Sequence, residues 1–146
     1  MTKNLKKILV SSFVLLLIAF AVAFYLFTEK FTDTLERKAS YTLNAMDLIK
    51  EFQQNDSLAN KKYTEKIVLI NGTISELVTA DTSANIKFID TATGDYIIFA
   101  FQQQHVAEAN RLKKGDNISI KGSCSGGNYS EILGTRYITF KRAALN

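Results

Sequence analysis

The chain has 146 residues, 47% of them hydrophobic, which leaves room for one domain and an appendage. Its formal charge of +4 points toward polyanions, but the excess sits at the front. Residues 31–146 hold 14 of the 18 Lys and Arg and 13 of the 14 Asp and Glu, so that part is one charge from neutral and lacks the basic footprint of a nucleic-acid binder.

One cysteine, Cys124, excludes an intramolecular disulfide and a Cys-based zinc cluster. His105 is the only histidine, so a His-containing metal site or hydrolytic triad would rest on it alone. No metal site and no cofactor is expected.

Residues 1–7 form a polar tail with three lysines. Residues 8–27 carry no charge, and at about 1.5 Å per residue they match the thickness of a bilayer core. This predicts a transmembrane helix with the lipid bilayer as its partner. Ala21-Val22-Ala23 has the form of a cleavage site, but the apolar run continues through Phe24-Tyr25-Leu26-Phe27, so an uncleaved anchor is preferred to a cleaved signal. The lysine-dense tail places the N-terminus in the cytoplasm and the following domain outside it, in a single-pass membrane protein. Residues 28–40 read as a charged stalk that continues the helix. Residues 41–146 follow as a helical lead-in and a folded domain.

Tyr41, Ala45, Leu48, Ile49 and Phe52 form one stripe of an amphipathic helix. Asp56 is positioned to cap a shorter helix carrying Leu58, Ala59 and Tyr63. Strands are expected at about 67–77, 86–90 and 96–101, with a turn at 91–95 between the last two. A helix at about 103–112 carries Val106, Ala109 and Leu112. A fourth strand covers 117–125, Gly126-Gly127-Asn128 signals a turn, and a last strand lies around 136–141. Gly72 and Gly122 interrupt the first and fourth strands, as bends of a coiled barrel would.

Three strands, a helix and two strands is the order of the five-stranded Greek-key OB barrel, so the expected class is all-β with helical additions. Specific segments carry a further resemblance: Asn55-Asp56-Ser57-Leu58-Ala59-Asn60-Lys61-Lys62-Tyr63 leading into Lys66-Ile67-Val68-Leu69-Ile70-Asn71-Gly72, then Leu112-Lys113-Lys114-Gly115-Asp116, then Ile120-Lys121-Gly122-Ser123-Cys124-Ser125-Gly126. In that order, over about residues 43–143, they resemble the bacterial tRNA-anticodon-like (tRNA_anti-like) OB-fold family. The resemblance implies a binding barrel and does not by itself imply RNA binding. Family members often carry further cysteines on the third and last strands. Those are absent here, and Cys124 reads as a small core residue.

No catalytic constellation emerges, so the chain is not read as an enzyme. Asp33 and Glu36 read as solvated charges, and His105, among glutamines at a helix start, as an exposed structural histidine. Four Asn-x-Ser/Thr triplets begin at Asn55, Asn71, Asn117 and Asn128. Two of them lie at strands and the resemblance is bacterial, so they read as chance. With Ile86 and Phe88 inward on one strand and Ile97, Phe99 and Phe101 inward on the next, Lys87, Ile89, Tyr96 and Ile98 face out as a candidate ligand-binding patch. The competing expectation is that helix 41–52 covers this patch. The reading is an extracytoplasmic binding module for a protein or envelope component. A single-stranded nucleic-acid module is the rival, and an enzyme the remote one.

Overall fold

The structure, a computed structural model, describes residues 3–28 and 33–146, with side chains described at Lys7, 11–26 and 33–146. Two compact units, 1–32 and 33–146, are distinguished by their internal contacts.

In the first unit, α1 runs Lys3–Thr28 through a stretch free of Gly and Pro, with nothing to break it. Its described side chains from 11 to 26 are all exposed. The transmembrane helix expected over 8–27 is corrected here: among the described residues no helix is long and apolar enough to cross a membrane. The described side chains are uncharged for 16 residues, of which Ser11 and Ser12 are polar, and a span takes about twenty. Residues 8–10 and 27, which the expectation included, lie outside the described side chains.

In the second unit the stalk helix is replaced at its C-terminal part by a single 3-10 turn, Thr34–Glu36, capped by Asp33, whose carboxylate accepts from the Leu35 N–H at 2.9 Å. Then follow β1 (Tyr41–Asn44), α2 (Ala45–Gln54), α3 (Asp56–Tyr63), β2 (Ile67–Thr73), β3 (Glu76–Ala80), β4 (Ser83–Ile89) and β5 (Tyr96–Phe101). A 3-10 turn (Gln103–His105) leads into α4 (Val106–Ala109), and the long hairpin of β6 (Asn117–Ser130) and β7 (Thr135–Leu145) closes the unit.

The five-stranded barrel is also corrected. Among the described residues seven strands lie in one mixed sheet, ordered β1-β2-β6-β7-β5-β4-β3, with β1–β2 and β5–β7 parallel and the remaining pairs antiparallel. Two local events account for the extra strands. Tyr41–Asn44 alternates half-buried and exposed and joins β2 as an edge strand instead of opening the helix. Asn44 then caps α2, its side chain accepting from Met46 N. The expected first strand also breaks at Ile74–Ser75. There the Ile74 N–H donates to Asp116 O and the Ser75 N–H to Lys87 O, so the chain leaves β6 and takes up β4 as its neighbour. β3, at one edge of the sheet, is therefore the direct continuation of β2, next to the other edge.

Gly126-Gly127 is not a turn. β6 runs through it, with register shifts at 121/123 and 124/126, and the hairpin reverses only at 131–134. Gly126 sits at φ +100°, and a Cβ on Gly127 would come within 2.7 Å of the Phe52 ring. Glycine is required here for a bulge and for close approach of α2, the other uses of a strand glycine.

The stripe Ala45, Leu48, Ile49 and Phe52 is buried as expected, against Phe88, Phe99 and Phe140. Phe99 lies 5.1 Å from Phe88 and 5.0 Å from Phe140 between ring centroids. Each such fully buried side chain contributes roughly 1.5–3 kcal/mol by leaving water. Cys124 is fully buried, and burial pushes its thiol up to about 11.

Candidate ligand-binding surface

The alternation of β4 and β5 brings the four expected patch residues together. Lys87 pairs with Ile98, and Ile89 with Tyr96, in cross-strand register, on the face opposite buried Ile86, Phe88, Ile97 and Phe99. All four are half-buried. α2 turns its apolar stripe into the core, which is the burial that the competing expectation assigned to the patch. β7 extends the face, Tyr137 opposing Tyr96 and Thr139 opposing Ile98. The Tyr96 and Tyr137 rings stack at 6.2 Å and 24°.

The Lys87 charge on this side is already matched. Lys87 Nζ lies 2.9 Å from Glu76 Oε2 and 5.3 Å from the Tyr96 ring centroid. On the other side of β7, which it shares with buried Ile138 and Phe140, Arg136 holds both oxygens of Asp56, at 2.6 and 3.1 Å, and approaches Asp95 at 3.5 Å. Asp95 is buried and also accepts from the Arg136 backbone N–H (2.7 Å) and from Gln53 (2.8 Å). The Asp56 carboxylate, followed by Asp95, holds the Arg136 guanidinium firmly in its charged form.

The segment 55–63, which carries much of the resemblance, is structural. Asn55 caps α3 through Leu58 N, in place of the expected Asp56, while Asp56 clamps Arg136. The Asn60 carboxamide pairs with both backbone groups of Gly127, at 2.8 and 2.9 Å, as a strand would. Lys62 and Tyr63 both reach Glu51; of the three apolar residues this helix carries, Ala59 and Tyr63 are buried and Leu58 is exposed.

His105 is buried, against expectation. Its Nε2 lies 2.8 Å from Asp33 Oδ2, while Nδ1 is buried without a hydrogen-bond partner, 3.6 Å from Glu108 Oε2. Gln104 also donates to Asp33, and Gln102 accepts from Thr34 N. The Leu35 N–H first, then His105, hold the Asp33 carboxyl down at about 2. This is a fastening of residues 33–34 to the turn before α4. Among the described residues no group of three or more His, Cys, Asp or Glu could hold a metal.

The sequence reading missed a cleft of about 800 Å³ beside the patch, which shares Ile89 with it. Four of the chain's ten asparagines line it: Asn44, Asn71, Asn117 and Asn146. No charged side chain does. The signal was present in two of the Asn-x-Ser/Thr triplets. On a strand, residues i and i+2 share a face, so Asn71-x-Thr73 and Asn117-x-Ser119 each present two polar side chains to the same side. β2 and β6 set them opposite one another, Asn71 against Ser119 and Thr73 against Asn117.

The chain matches the tRNA_anti-like family over residues 1–133. Among solved structures it is similar to a protein of Klebsiella pneumoniae subsp. pneumoniae MGH 78578, provisionally named a nucleic acid-binding lipoprotein. That likeness has a TM-score of 0.56 at 16% identity, over 81% of this chain and 99% of that one. A Leishmania major Friedlin protein, provisionally named an aspartyl-tRNA synthetase, aligns at 9% identity and a TM-score of 0.47, over 81% of this chain and 22% of its own. A search of curated proteins returned no match. At such identities the structural likeness concerns the fold alone. The sequence match spans nearly the whole chain, from α1 through the clamp segment 55–63 to the β6–β7 hairpin, and the chain belongs to the tRNA_anti-like family.

Proposed function

We propose that this protein is a binding module of the cell envelope, taking a polymer of low charge on the outer face of β4, β5 and β7, and that it acts by binding rather than catalysis. The observation that carries the reading is the stacked pair Tyr96 and Tyr137 beside half-buried Ile89 and Ile98, with Lys87 among them already paired with Glu76. A polyanion would have to break the Lys87–Glu76 pair to use that cation, while the two rings and the two isoleucines offer contact area that needs no charge. The exposed apolar side chains of α1 support a bilayer as the partner of that helix, and the reading takes the sheet domain to lie outside the cytoplasm. Cell fractionation and protease treatment of intact spheroplasts test the placement.

Co-sedimentation of the full chain with isolated cell-wall sacculi tests the binding. Retention should be largely insensitive to salt and fall in Tyr96→Ala and Tyr137→Ala variants. No retention overturns the reading. Turnover of any hydrolase substrate that is lost in His105→Ala would overturn the non-catalytic assignment.

A single-stranded nucleic-acid module is the second reading. The Klebsiella relative is named for nucleic-acid binding, and a tyrosine pair on a sheet can stack bases. Micromolar binding of a fifteen-nucleotide oligo-dT with a steep salt slope would establish it over the first.

A further inference from the structure

We infer that the cleft bordered by Asn44, Asn71, Asn117 and Asn146 is a subsite for a neutral saccharide; the inference rests on the envelope-polymer reading and names the chemistry of one part of that ligand.

The argument starts from the paired triplets. Ser119 Oγ donates to Asn71 Oδ1 at 2.6 Å, and Thr73 Oγ1 donates to Asn117 Oδ1 at 2.5 Å. Each pair satisfies one end of a carboxamide and leaves the other end open. Asn44 is fixed the same way, its Oδ1 held by Met46 N. Among the described residues none of these three Nδ2 groups has a protein partner. The cross-strand register places Asn44 beside Asn71 and Asn71 beside Ser119, and the Asn146 N–H donates to Ser119 O. The result is a row of amides and hydroxyls crossing β1, β2, β6 and the end of β7, at the strand spacing of about 4.8 Å.

Such a row selects its ligand. Carboxamide N–H groups donate, serine and threonine oxygens still accept, and all of them are neutral. Sugar hydroxyls do both, and the C–H faces of a sugar ring can rest on Ile89, Ile118 and Leu145, which share the lining. A phosphodiester would enter without one cation among the lining residues, leaving its charge desolvated and unpaired. The volume, about 800 Å³, lies in the range of small-ligand sites.

The test uses the full chain in a detergent without a sugar headgroup, titrated with maltotriose and with chitotriose and followed by amide NMR. Saturable millimolar binding is expected for at least one of them, with shifts at the side-chain amides of Asn71 and Asn117. The double variant Asn71→Leu/Asn117→Leu should weaken it about tenfold, with backbone spectra reporting that the sheet is intact. Asn71→Ser offers a second, smaller change should the double variant misfold. Shifts confined to Tyr96, Tyr137 and their neighbours would overturn the subsite and leave the module reading standing. No shift with either sugar, in a protein that still sediments with sacculi, would do the same. Preference for an uncharged extended peptide along the β1 edge would also overturn it.

Discussion

The β4–β5–β7 face and the Asn-lined cleft adjoin at Ile89, yet they have used their polar groups in opposite ways. On the face, Lys87 has found its partner within the fold in Glu76, while the rings of Tyr96 and Tyr137 stack on one another. In the cleft, Asn71, Thr73, Asn117 and Ser119 bond one another once and keep half of each carboxamide open. The face therefore offers area and aromatic rings, and the cleft offers hydrogen bonds. Charged residues are the usual first suspects in a binding site, but here Lys87 and Arg136 are structural, and the neutral residues of the cleft have capacity to spare.

The largest effect expected is at Gly72, which floors the cleft and lies against the underside of β4. A Cβ there would come within 2.7 Å of the buried Phe88 ring and 3.0 Å of the Ala45 Cβ. Gly72→Val should cost about 3 kcal/mol or more, at the upper end for overpacking, and should disturb cleft and face together. Chemical denaturation of full-length protein would show it as a lower midpoint. Gly122, whose added Cβ meets Phe140 at 3.2 Å, should respond less. Equal midpoints for the two valine variants would mean that close approach is not what constrains Gly72.

Removing Arg136 comes next and probes the structural charge directly. Arg136→Ala leaves buried Asp95 and its neighbour Asp56 without their cation, at a cost of about 2–3 kcal/mol. An unchanged melting midpoint would show that the pairing is incidental and that Arg136 is available to a ligand after all.

Acid should loosen a different fastening. The Asp33 carboxyl is held at about 2, below its ordinary 3.8, so its contribution is fully present above pH 4 and is lost as pH falls through about 2. His105→Ala should move the Asp33 titration upward, read by carboxyl NMR, and leave saccharide binding unchanged. A static Asp33 titration would mean that the Leu35 N–H alone sets its acidity.

The smallest effects should mark the contrast itself. Lys87→Ala removes a partly exposed pair, and Asn71→Ala an exposed hydrogen bond, so each should change stability by no more than about 0.5 kcal/mol. Only Asn71→Ala should alter oligosaccharide affinity. If both variants weaken binding equally, face and cleft act as one site and the distinction fails.

Much of this was legible locally. Period-two alternation in 86–101 assigned Lys87, Ile89, Tyr96 and Ile98 to one face, because a strand with one buried side admits a single register. The stripe Ala45, Leu48, Ile49 and Phe52 identified the buried side of α2, and Cys124, without a second cysteine and on the strand face of Ile118 and Ile120, read correctly as core. Tyr41–Asn44 was not legible: four residues fit a helical and an extended period equally, and the open edge of β2 decided between them. Neither was the role of Gly126-Gly127, where the same dipeptide suits a turn or a bulge until Phe52 and Asn60 arrive above it. His105 looked exposed among glutamines because its partner, Asp33, lies 72 residues away.

The amino-acid sequence by itself determined which side chains face the core along each regular segment, since periodicity and solvent avoidance act over a few neighbouring residues. The tertiary structure decided where the strands break, which edge β1 joins, and that Asn44, Asn71, Asn117 and Asn146 share one cleft. Those outcomes depend on contacts between residues tens of positions apart, and a contact of that kind leaves its mark on each strand only as an ordinary polar residue.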